Sequence, residues 1–218
     1  MKLLLTSSGN TNKSIERALS ELLEKPFNKA HITFIPTAAN VEKGDKTWLV
    51  DDMNNFRKLN FASFDIIDIS AVSKNIWLSS FEKADVLVFG GGNVYHLLTW
   101  MKKSGLAKLL PKLLKNKVYV GISAGSMITA RNISLTSSDI LYYEDTGKIK
   151  NTKGLGLVGF EIRPHLNSKW FPKVRLPFLE KLSKEIPNTF YAIDDNTAVK
   201  VVDDVVSIIS EGEWKKFN

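Results

Sequence analysis

Hydrophobic positions fall into two alternating patterns along this chain. Short unbroken apolar runs at Lys2–Leu5, His31–Ile35, Asp65–Ile69, Val86–Phe89 and Lys117–Val120 predict strands, and Pro36 stops the second of them. Between these runs, apolar residues recur every three or four positions. Lys13–Glu24 carries Ile15, Ala18, Leu19, Leu22 and Leu23 as one stripe, with Asn10–Asn12 available as a cap. Asp45–Leu59 is predicted to be helical with Trp48, Leu49, Met53 and Phe56 turned inward. Ile76–Lys83, Val94–Met101 and Leu106–Leu114 follow as helices, the last two separated by Gly105. Strands that are apolar throughout, alternating with amphipathic helices, are the pattern of a parallel sheet covered on both faces.

The last third reads differently. Asn132–Val158 has few periodic runs and several glycines, so loops and short strands are expected there. Phe160–Ile162 is predicted as a strand leading into Arg163–Pro164–His165, and Arg175–Glu185 as a helix. Phe190–Ile193, Ala198–Val202 and Val205–Ile209 are strands with short polar turns, which suggests antiparallel additions. The expected fold is therefore α/β, a three-layer sandwich around a mostly parallel sheet with antiparallel strands added at the C-terminus. With no internal repeat or linker, residues 1–218 are expected to form a single domain.

Composition narrows the chemistry. Hydrophobic residues make up 44% of the 218, enough for one sizeable core. The absence of cysteine excludes disulfides, thiolate catalysis and cysteine-ligated zinc, and no metal or other cofactor is expected. MKLLLTSSGN is too short in its apolar run for a signal-peptide core or a membrane span, and a cytoplasmic location with no membrane partner is expected. The net charge of +7 comes from lysines spread over helix surfaces, without a basic run interleaved with aromatics. That argues for a solvated basic surface, compatible with attracting small acidic substrates, and against a nucleic-acid partner.

Candidate chemistry centres on Lys117–Arg131. Gly121–Ile122–Ser123–Ala124–Gly125 spells G-x-S-x-G between a predicted strand and a predicted helix, the context of a nucleophile elbow. A nucleophilic serine needs a base, and the chain has three histidines. His165, on a loop at a strand's end, is best placed; His96 is the competitor, and His31 opens a strand. The acceptor for the histidine's second nitrogen is Asp195, in the turn after Phe190–Ile193, or Asp139. The order Ser123, His165, Asp195 differs from the Ser–Asp/Glu–His order of α/β-hydrolases. Oxyanion amides are expected from Ala124 and from the Gly90–Gly91–Gly92–Asn93 loop, whose rival reading is a phosphate-binding loop.

FGGGNVYHLL, GISAGSMI, RPHL and AIDDNTAV, in this order and spacing, resemble the peptidase E and cyanophycinase group of serine hydrolases. The resemblance implies a class I glutamine amidotransferase-like fold with a serine nucleophile. It makes Ser123 the nucleophile, His165 the base and Gly92 and Ala124 the oxyanion amides, with Asn93 beside the substrate. Asp195 stands where the group has a glutamate; Asp139 matches an aspartate of the group and is the alternative third member. Arg175 matches an arginine that recognises a substrate's aspartate side chain. The implied activity is a serine exopeptidase acting on short peptides, above all dipeptides with N-terminal Asp, with a homodimer allowed for. The alternatives are an esterase, amidase or acidic-polymer hydrolase on the same machinery, or a catalytically decayed small-molecule binder.

Overall fold

The computed structural model describes residues 1–133, 135–143 and 153–218. The first half runs β1 (Lys2–Thr6), α1 (Lys13–Leu23), β2 (His31–Ile35), α2 (Thr47–Arg57), β3 (Ser63–Ile66), α3 (Lys74–Lys83), β4 (Val86–Phe89), α4 (Val94–Lys103), α5 (Leu106–Leu113) and β5 (Val118–Ile122). The second half adds α6 (Ala124–Met127), α7 (Leu135–Tyr142), β6 (Glu161–Arg163), α8 (Leu176–Ser183), β7 (Phe190–Ile193), β8 (Thr197–Val202), β9 (Val205–Ser210) and β10 (Trp214–Phe217).

The main sheet has the order β3-β2-β4-β5-β1-β8-β9. The first five strands in that order are parallel, and β8 and β9 continue the sheet antiparallel from β1. Each buried strand sends alternate side chains to opposite faces. Leu3, Leu5, Leu87, Phe89 and Tyr119 face Trp77 and Phe81 of α3 and the apolar sides of α4 and α5. Leu4, Val86, Val88, Val118 and Val120 face the stripe of α1 and Phe56 of α2. Covering both faces is what allows these strands to be apolar throughout. Asn12 caps α1 as expected, its side chain accepting from the Ile15 amide.

Four elements differ from the sequence reading. The third strand is Ser63–Ile66, at the sheet edge and mostly exposed, because Ile67 and Ile69 leave the strand and insert into the core beyond it. In α2 Phe56 is buried, but Trp48 is 38% exposed and lies over the strand ends rather than under them. Within the stretch expected to be loops, Leu135–Tyr142 forms α7, with Leu141 buried against Leu166, Val174 and Leu179. Residues 144–152 of that stretch lie outside the described ones. Finally, Phe190–Ile193 does not join the main sheet: β7 pairs parallel with β6 and antiparallel with β10, giving a second sheet of order β10-β7-β6. The buried Arg163 in β6 is matched by Glu161 at 2.6 Å, the partner a buried charge requires. Ile162, Tyr191 and Ile193 of this sheet share a core with the main one.

Candidate active site

The carboxyl ends of β4, β5 and β1, three adjacent strands, open on the same crevice, where open α/β sheets bind ligands. Ser123 follows β5 directly and has φ 47° and ψ −106°, a conformation that costs a non-glycine residue about 1–3 kcal/mol. The turn is held from β1: the Thr6 carbonyl accepts from the Ser123 amide at 3.1 Å and from Ser126 Oγ at 2.7 Å. Gly125 permits the tight passage, since a Cβ there would lie 2.0 Å from the Phe89 carbonyl oxygen. Ser126 is fully buried with its hydroxyl committed to Thr6, whereas the Ser123 hydroxyl faces a histidine.

That histidine is His165. Its Nε2 lies 3.0 Å from Ser123 Oγ and its Nδ1 lies 2.8 Å from Asp195 Oδ1. The Asp195 turn is brought in by Thr11 Oγ1, which donates to the Asp195 carbonyl at 2.7 Å. Asp194 stabilises the turn instead, accepting from Asn196, Thr197 and Glu213. Burial pushes the Asp195 carboxyl up, but hydrogen bonds from His165, Ser7 and Ser8 and the His165 charge outweigh it and hold the group below its ordinary range. The imidazole is fixed from its face as well: the Phe171 ring stacks on it with centroids 4.8 Å apart.

Gly90–Asn93 closes the crevice beside Ser123. A Cβ built on Gly91 would lie 3.5 Å from Ser123 Cβ. Gly90 and Asn93 direct their amides to the Ile35 and Ala38 carbonyls, and among the described residues the Gly91, Gly92 and Ala124 amides have no acceptor. Gly92 has φ 121°, and a Cβ there would meet the Ala38 carbonyl oxygen at 2.4 Å, so the loop conformation demands glycine. Free amides on two segments flanking one hydroxyl are what an oxyanion hole requires.

The other sequence candidates lie as follows. Asn93 caps α4, its side chain accepting from the His96 amide at 2.8 Å. His96 is half-buried on α4, where burial lowers its pKa, opposed by Asp68 and reinforced by Lys103. His31 is exposed at the opposite end of the sheet, 2.7 Å from Ser63 Oγ. Asp139 is exposed on α7. Arg175 precedes α8 and donates three hydrogen bonds, to the carbonyls of Ser168, Phe171 and Val174, so its guanidinium clasps the loop that carries Phe171. Among the described residues no group of three or more His, Asp and Glu side chains could hold a metal ion.

Ser7 was not singled out by the sequence. Its hydroxyl donates to Asp195 Oδ1 at 2.6 Å and accepts from the His165 amide at 2.8 Å, bracing the pair from the end of β1. The available signal was its place: a serine at the carboxyl end of a strand in a parallel sheet. Phe171 had no comparable signal, because aromatic residues in loops carry no periodicity.

Known proteins share this arrangement of sequence and fold. The profile of peptidase family S51 matches residues 3–209. An uncharacterized peptidase of Pasteurella multocida (strain Pm70) is 31% identical over 175 residues, 78% of this chain and 80% of that one. A peptidase E of Salmonella arizonae is 26% identical over 168 residues, covering 76% of this chain and 69% of its own. The crystal structure of a candidate peptidase E protein from Listeria monocytogenes EGD-e superposes with a TM-score of 0.80 at 27% identity, over 97% of this chain and 98% of that one.

Proposed function

The chain belongs to peptidase family S51 and is a serine-type peptidase, and from that premise we propose that it is an exopeptidase of short peptides with an acidic N-terminal residue, working through an acyl-enzyme. Ser123 at its nucleophile elbow attacks the scissile carbonyl while His165 Nε2 takes the hydroxyl proton. The oxyanion is held by the Gly92 and Ala124 amides. Asp195 keeps Nδ1 protonated and stabilises the imidazolium. His165 then passes its proton to the leaving amine, and water, activated by the same nitrogen, hydrolyses the ester on Ser123. The observation that carries this reading is the continuous line from Asp195 through His165 to Ser123, at 2.8 and 3.0 Å.

Preference for an acidic residue rests on Arg175. Three of its five N–H groups serve the chain's own carbonyls, leaving two for an incoming carboxylate. The same engagement favours a second reading, in which Arg175 only shapes the loop and the machinery serves neutral peptides or esters equally.

A panel of Asp-Leu, Ala-Leu and a nitrophenyl ester separates the two. Ser123→Ala is expected to lose about 10⁴-fold or more in kcat while remaining folded. Asp-Leu turned over far faster than Ala-Leu supports the acidic preference. Equal rates reject it, and near-normal turnover by the variant rejects Ser123 as nucleophile.

A further inference from the structure

We infer that Asp52, on the face of α2 that overhangs the crevice, is the anionic subsite for the free α-ammonium group of the peptide substrate. The inference rests on the reading of Ser123 as the nucleophile of a peptidase. An exopeptidase must recognise a chain end next to the bond it cuts. The α-nitrogen of an N-terminal residue lies roughly 2.5 Å from the scissile carbonyl carbon, two bonds away. Its recognition group must therefore flank the nucleophile.

Helix α2 meets this requirement. Trp48 and Asp52 are one helical turn apart, on the same face. The Trp48 ring edge and Ser123 flank Gly91 together: a Cβ on that glycine would lie 3.6 Å from Trp48 Cζ3 and 3.5 Å from Ser123 Cβ. Asp52 stands over the loop that follows β1. A Cβ on Gly9 would lie 3.6 Å from Asp52 Oδ1 and 3.1 Å from Ile122 Cδ1, the residue preceding the nucleophile.

Among the described residues the carboxyl has no counter-ion. The charged groups that influence it are Asp51, its neighbour on α2, and Asp195 of the proposed triad, both anionic. Burial, then these two carboxylates, push Asp52 up to about 8. The next residue after Gly9 offers an independent sign: Asn10 Oδ1 is buried and has no donor among the described residues. A buried acceptor without a donor costs about 1–3 kcal/mol, and so calls for a ligand that donates. An ammonium group brings three N–H donors and a positive charge. Its arrival would ionise Asp52, give that carboxylate a partner and offset the repulsion from Asp195. None of the residues assigned to catalysis supplies such a partner: the Asp195 carboxylate is taken by His165 and Ser7.

The test compares Asp-Leu with N-acetyl-Asp-Leu in the wild type and in Asp52→Asn, both as substrates and as protectants of Ser123 against a fluorophosphonate. Asp52→Ser serves if the Asn variant does not fold. The wild type is expected to favour the free amine by at least about 30-fold in kcat/KM, and the variant to lower that ratio to about threefold or less, as loss of a desolvated charge pair does. If the wild type cleaves neither peptide, the peptidase specificity fails. Selective protection by Asp-Leu that is lost in the variant would still support the ammonium subsite. A wild type protected equally by both peptides or by neither, or a variant that keeps the full discrimination, overturns it.

Discussion

At the residue scale, two carboxylates are candidates for one histidine, and the one in contact with it is proposed as its partner. Asp195 Oδ1 is 2.8 Å from His165 Nδ1, while Asp139 is exposed on α7. The side chain at 195 is one methylene shorter than the glutamate of the resembling group. Thr11 bonds the Asp195 carbonyl and Asp194 braces the turn, which fixes the backbone that carries the shorter side chain, and Ser7 supplies a second hydrogen bond to the carboxylate. Asp195→Asn is accordingly expected to lower kcat by about 10⁴-fold with little change in KM, and Asp139→Asn to leave both near wild type, measured on whichever peptide of the panel is cleaved best. Asp52 adds a pH signature to stability. A carboxyl at about 8 when folded and 3.8 otherwise binds more protons in the folded state, so stability falls as pH rises through that window. Asp52→Asn removes the loss. Relative to wild type, it is expected to gain on the order of 2–4 kcal/mol between pH 5 and pH 9 in urea titrations. An unchanged difference across that range would show that Asp52 does not titrate there.

At the element scale, the segment between β6 and α8 holds His165, the proposed base, in place. Phe171 stacks on His165, and Arg175 gathers the carbonyls on either side of that ring. Removing the guanidinium frees three carbonyls and the loop they belong to. Arg175→Ala is expected to speed tryptic cleavage after Lys169 and Lys173 several-fold. A loop role alone lowers kcat for acidic and neutral peptides alike. A direct hold on the substrate's carboxylate raises KM for the acidic ones only. The kinetic pattern thus distinguishes the two roles, and unchanged proteolysis would show that the clasp does not order the loop.

At the scale of the whole molecule, the site joins two sheets. Ser123 sits at the end of the seven-stranded sheet, while His165 and Asp195 follow β6 and β7 of the three-stranded one. The proposed catalytic geometry, with Ser123 Oγ 3.0 Å from His165 Nε2, therefore depends on how these sheets pack. Ile162, Tyr191 and Ile193 share a core with Leu3, Phe89 and Tyr119, so the two sheets are expected to unfold together. Far-ultraviolet circular dichroism and tryptophan fluorescence should give one coincident denaturant transition. Two separated transitions would mean that the small sheet is a unit of its own. Among the described residues no helix is long and apolar enough to cross a membrane.

The sequence by itself determined the parallel core and the position of Ser123. Strands covered on both faces are written as unbroken apolar runs, and the strand-to-helix turn is written as glycine at Gly121, where a Cβ would lie 2.6 Å from the Ser126 amide nitrogen; both signals are legible within a few residues of chain. It also brought out His165 and Asp195, because each follows an apolar run at a strand's end. Tertiary structure decided the rest. Which sheet β7 joins depends on pairing with β6 and β10, which no local pattern encodes. Trp48 and Asp52 occupy an inward-looking helical period, yet lie toward the crevice because α2 overhangs the strand ends while Leu49, Met53 and Phe56 pack on the core. Ser7, Phe171 and the clasp of Arg175 are contacts across long stretches of chain. Ser7 meets His165 from 158 residues away, and a distance of that kind becomes a hydrogen bond only after the sheets have closed.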